Sequence, residues 1–155
     1  MKSSADGSLE ELLKCLREHR KNLEDELGGL YLSYALTNRY VLHPARLKEI
    51  ARDDVDQYLS FLDSSNEQEA IESGKTRASE GLSLNVFIKM GSLLRLHTLR
   101  QIDQQNQPIL ESTISLIDTF MSARILGYFE QFEVQLLDDQ EKMRIALARA
   151  EQIER

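Results

Sequence analysis

Few residues in this chain are of the types that usually carry chemistry. There are three histidines and one cysteine in 155 residues. His19, His43 and His97 make no His-x-x-x-His pair and Cys15 has no second cysteine, so the spacing of a zinc site is missing. Neither a Gly-x-Ser-x-Gly elbow nor a Gly-x-Gly-x-x-Gly loop occurs. Gly74-Lys75-Thr76 resembles the end of a phosphate-binding loop, but the upstream glycine and preceding strand are absent. The acidic run Asp53-Asp54 with Asp56 lies inside a helical pattern. Calcium loops need a glycine and oxygen ligands at loop spacing, so this run is expected on a solvated face. Cys15 and His19 read as ordinary surface or half-packed residues, and His43 as a helix cap. The sequence points away from catalysis.

His97 is the residue with a sharper alternative. It sits in Leu93-Leu94-Arg95-Leu96-His97-Thr98-Leu99, on a segment expected to be largely buried. A histidine in an all-α pocket can hold haem iron, which would make the protein a gas sensor. A core-boundary histidine held by a hydrogen bond is the plainer reading, and the preferred assignment carries no cofactor.

The elements that must position these residues are helices. Pro occurs twice and Gly seven times, with 41 % hydrophobic and 29 % charged residues, and no strand pattern is evident. The formal charge of −7 argues against nucleic acid or an anionic membrane as the main partner. No apolar run approaches the ~18 residues of a membrane span. The single cysteine and the lack of a signal peptide suit a cytoplasmic setting.

Residues 1–7 are small and polar and are expected to fray. Ser8 with Glu11 could form a capping box for a first helix, which Gly28-Gly29 is expected to break. Thr37-Asn38-Arg39 reads as a turn, Tyr40-Val41-Leu42 as an extended link, and His43-Pro44 as a helix start. Leu47, Ile50, Ala51, Val55, Tyr58, Leu59 and Leu62 then share one helical face. Glu67–Glu80 is polar, with a slender face of Ala70, Ile71, Gly74 and Ala78 that invites a close neighbour. Gly81 ends it and Ser83 caps the next helix. Leu84–Ile102 is apolar nearly all round, so it is expected in the middle of the bundle, with Gly91 and Ser92 at a close crossing. Asp103–Gln107 is a polar loop.

Pro108–Arg155 reads as one very long helix, far beyond the ~10–14 residues usual in globular proteins. Its first half is apolar on more than one stripe. Its second half narrows to a heptad seam. Phe129, Leu136, Met143 and Ala150 occupy one position, and Ile125, Phe132, Asp139, Ala146 and Ile153 the other. The pattern stops at Arg155 in mid-heptad with no capping Gly or Pro, as expected of a module joined to a further domain.

Three stretches resemble a known family. They are Asn38-Arg39-Tyr40-Val41-Leu42-His43-Pro44-Ala45-Arg46-Leu47, Gly74-Lys75-Thr76-Arg77-Ala78-Ser79-Glu80-Gly81-Leu82-Ser83-Leu84, and the exit helix from Tyr128-Phe129 through Gln140-Glu141 to Ala150. They resemble the helical N-terminal sensor domains of the RsbR stressosome type, found in bacterial signalling proteins. That resemblance implies a globin-like helical fold, typically without haem, that dimerises and joins its output domain through a C-terminal helix. The iron-binding histidine of a globin would fall in Glu67–Glu80, which has none.

The expected architecture is therefore all-α, a globin-like helical bundle whose long C-terminal helix extends into a coiled-coil linker. Residues 8–137 would form the sensor and dimerisation domain, and 138–155 the signalling helix. The expected function is sensory input and homodimerisation in a signal-transduction protein, without catalysis. Its partners would be a second copy, its own output domain of STAS, kinase or cyclase type, and a small-molecule or protein cue. The alternatives are a haem-binding globin-type gas sensor with His97 as ligand, and a free-standing helical adaptor for a partner helix.

Overall fold

The computed structural model describes residues 4–38, 43–102 and 107–154, and these form six helices with no strand among them. They are α1 (Ser4–Glu18), α2 (Arg20–Asn38), α3 (Pro44–Ser64), α4 (Glu67–Ser79), α5 (Leu84–Arg100) and α6 (Gln107–Glu154). The chain is all-α, as its composition implies. No described helix is long and apolar enough to cross a membrane.

Local chemistry explains most of the boundaries. The His43 side chain accepts a hydrogen bond from Ala45 N at 3.1 Å, and Pro44 follows at the first helical position. Asn66 caps α4 by accepting from Glu69 N, and Ser83 caps α5 by accepting from Val86 N. Gly81, with φ at 81°, makes the reversal between α4 and α5.

Two expected boundaries differ. α1 begins at Ser4, so Ser8 lies inside it rather than capping it. Gly28-Gly29 does not break α2, which runs unbroken to Asn38 and so also takes in Thr37 of the expected turn. The discontinuity falls at His19 instead, and it is a slight one. The backbone bonds His19 N to Cys15 O and Leu23 N to His19 O carry the helical path through. Glycine only weakens a helix, and the buried Leu23, Leu27 and Tyr31 hold α2 together from either side of the pair. The expected link Tyr40–Leu42 lies outside the described residues, as does the loop 103–106.

The first half of α6 is the axis of the body. Ile109, Ile117, Phe120 and Ala123 are buried, and the Phe120 ring lies 5.5 Å from that of Tyr58 and 5.2 Å from that of Phe61, both on α3. α4 lies closest to it. A Cβ on Gly74 would stand 2.0 Å from the carbonyl oxygen of Arg124, and one on Gly127 would stand 1.9 Å from that of Ile71. Backbone meets backbone there, as the slender face of α4 foretold. Glu67 shares a groove with Ser115 and Thr119, and Lys75 pairs with Glu130, so α4 and α6 run in the same direction.

α5 runs the other way along α6. Arg95 meets Asp118, Gly91 abuts Met121, and Phe87 stacks near Tyr128 with ring centroids 5.3 Å apart. This helix is not central, contrary to its composition. Val86, Phe87, Met90 and Leu94 are buried, but Ile88 and Leu96 are 49 % and 56 % exposed. It packs against α2 and α6 and leaves its remaining side uncovered.

Candidate functional site

Three ionic side chains meet in the core. Asp54 on α3 and Arg124 on α6 are fully buried, and Arg77 on α4 nearly so. Asp54 Oδ1 accepts from Arg77 Nε at 2.8 Å and from Arg124 Nη2 at 2.6 Å. Its Oδ2 accepts from the Tyr31 hydroxyl on α2. One carboxylate thus ties four helices together. Burial pushes the Asp54 carboxyl up, but the charges of Arg124 and Arg77 outweigh it, and the net direction is down. Burial, then the neighbouring Asp54 charge, drive the Tyr31 phenol well above its usual range. Arg124 is further held between rings, with its guanidinium carbon 4.8 Å from the centroid of Phe87 and 5.3 Å from that of Phe120.

The charges continue outward with alternating sign. Arg77 Nη1 donates to Glu80 Oε1 at 3.2 Å, and Arg46 Nη2 donates to the same oxygen at 2.7 Å. Arg46, Arg77 and Glu80 line a groove of about 570 Å³ between α3 and α4. A continuous path, Arg46–Glu80–Arg77–Asp54–Arg124, therefore joins a surface groove to the root of α6.

Asp54 corrects the expectation that the acidic run is wholly solvated. Asp53 and Asp56 are exposed, and Asp56 pairs with Arg20, but Asp54 turns inward. The signal was present. Asp54 stands three or four residues from Ile50, Ala51 and Tyr58, on the apolar stripe. Arg124 likewise stands four residues from Phe120 and from Tyr128, and neither it nor Arg77 was singled out by the sequence. Among the described residues, no group of three or more His, Cys, Asp or Glu could hold a metal ion.

His97 is buried at 5 % exposure, with Nδ1 3.9 Å from Glu26 Oε2 on α2. Burial lowers its pKa against the pull of Glu26, which favours the neutral ring. It lies on the side of α5 facing α2, apart from the Asp54 cluster. Cys15 is half-buried and donates to Gln101 Oε1 at 3.2 Å.

The seam residues fall along the exposed half of α6. Ile125 is half-buried against the body. Phe129, Phe132 and Leu136 are 46–49 % exposed, Met143 is 67 % exposed and Ile153 85 %. Asp139, Ala146 and Ala150 are exposed as well. The stripe is the outward continuation of the one that meets α5 at Asp118 and Met121. Val134, Leu137, Ile145 and Leu147 add apolar surface on its other sides.

No family model matches the chain, and no curated protein or solved structure matches it either.

Proposed function

We propose that this chain is the sensory and homodimerisation module of a cytoplasmic bacterial signalling protein of the RsbR type, with a globin-like body and α6 as its output. The reading rests on one observation above the rest. α6 is rooted by Arg124 in a buried ion cluster shared with α2, α3 and α4, while beyond Tyr128 the same helix exposes a row of large apolar residues. A solvated row of that kind is stabilised by a partner. The partner is a second copy, paired along the heptad seam as a coiled coil. A cue at the α3–α4 groove acts on Arg46, Glu80 and Arg77, and reaches Arg124 through Asp54. The resulting shift of α6 passes to an output domain of STAS, kinase or cyclase type. No catalysis is assigned to the module.

The test is sedimentation across a wide concentration range. Self-association is expected, and Asp139→Leu is expected to tighten it by removing a carboxylate from an apolar seam. A chain that stays monomeric at the highest concentration, with Asp139→Leu no different, would end this reading.

A further inference from the structure

We infer that the second copy lies antiparallel on α6, with Phe129 opposite the partner's Ile153. This deepens the proposed function and rests on its self-association. The argument begins with the size of the seam residues. In a parallel pair each residue meets its own copy. Phe129 and Phe132 would then form overfull layers, Ala146 and Ala150 would form thin ones, and Asp139 would face the partner's Asp139. Two carboxylates would share one buried layer, which disfavours the charged pair.

The antiparallel register matches larger residues with smaller ones through the middle of the exposed helix and closes each end with the large pair Phe129 and Ile153. Phe132 falls opposite the partner's Ala150, and Leu136 opposite the partner's Ala146. Met143 falls opposite the partner's Asp139, beside which stands Lys142. Each Asp139 thereby gains a cation across the seam in place of a second carboxylate. The inner layers, each of one larger and one smaller side chain, are of similar volume and suit core-like packing.

Charge follows the same direction. Between Glu130 and Glu141 the ionisable residues are all acidic: Glu130, Glu133, Asp138, Asp139 and Glu141. From Lys142 to Arg149 they are all basic: Lys142, Arg144 and Arg149. A parallel partner sets acid beside acid and base beside base. An antiparallel partner lays the basic block of one helix along the acidic block of the other, and such complementarity also steers the encounter. All of these residues are exposed; Lys142–Asp138 and Arg144–Glu141 pair on the helix itself at 56–72 % exposure, and Glu130 pairs with Lys75 of α4. The two bodies then sit at opposite ends of a shared rod.

Cysteine cross-linking of the full chain decides the matter. Cys15→Ser is combined separately with Leu136→Cys and with Ala146→Cys, both at exposed positions, and helicity is checked by circular dichroism. Each variant is oxidised alone and then in an equal mixture. The antiparallel register predicts little cross-linked dimer from either variant alone and a strong disulfide dimer only in the mixture. Ready disulfides within each variant alone would mean a parallel pair, which overturns this inference and leaves self-association standing. A dimer by sedimentation that cross-links in no combination would also overturn it. Strict monomers would sink it together with the proposed function.

Discussion

Asp54 is the residue on which the most depends, because its one buried carboxylate is shared by two buried guanidiniums. Asp54→Asn leaves Arg124 buried without a counter-charge and Arg77 with Glu80 alone, and removal of one partner from a buried ion pair costs about 3–5 kcal/mol. Arg124→Met leaves the balanced Asp54–Arg77 pair in place. Its cost should be near the ~2 kcal/mol of one hydrogen bond to a charged group. Chemical denaturation of the two variants should therefore rank Asp54→Asn as much the more damaging, and equal losses would contradict the charge asymmetry. The same site sets a pH window. The folded pKa of Asp54 is lowered, so its contribution is present above the unfolded value of about 3.9 and is lost as pH falls through the folded value. The Tyr31 pKa is raised, so its contribution is present below about 10 and is lost as pH climbs toward the folded value. Thermal melts should show a plateau between these limits, and Tyr31→Phe should soften the alkaline fall. These charges were hidden in the sequence because a buried ion and a surface ion are spelled alike. Only the apolar neighbours at helical spacing distinguished Asp54 from Asp53, and its counter-ions lie 23 and 70 residues away.

At the level of the helices, glycines with different surroundings have opposite value. Gly74 and Gly127 each face backbone, so a methyl group there has nowhere to go. Gly74→Ala and Gly127→Ala gain about 1 kcal/mol of helix propensity. They should nonetheless lower stability, because overpacking against immovable backbone costs about 1–3 kcal/mol or more. Gly29 in α2 has no atom within 4 Å of a built Cβ, and Gly29→Ala should raise stability by about 0.4–1 kcal/mol. Melting temperatures moving in opposite directions for Gly29→Ala and Gly127→Ala would verify the contrast. Helix limits were legible wherever a side chain reaches a backbone group, as at His43 and Ser83. They were misread at Gly28-Gly29, where burial of the flanking leucines overrides local preference. The outward face of α5 was illegible for a related reason. Ile88 and Leu96 are as apolar as their buried neighbours, and only the arrangement of the other helices leaves them uncovered.

For the molecule as a whole, α6 projects far beyond its body. Residues 132–154 extend about 34 Å at 1.5 Å per residue, clear of the core. A chain ending at Gln131 should thus unfold with nearly the same midpoint as the full chain while losing self-association in sedimentation. A large fall in midpoint would mean that the tail braces the body. The existence and length of this helix were plain from periodicity alone, whereas the narrow stripe read into its second half left out the exposed Val134, Leu137, Ile145 and Leu147. How the body grips it was not, since two backbones touching leaves no trace in a single segment's pattern. That grip is unequal on its two flanks. α4 bears on α6 through carbonyls seated at Gly74 and Gly127, surfaces with almost no give, whereas α5 bears on it at Gly91 through the flexible thioether of Met121. Pushed sideways, the long helix is backed by a hard stop on one flank and a cushion on the other, so it has one cheap direction in which to tilt.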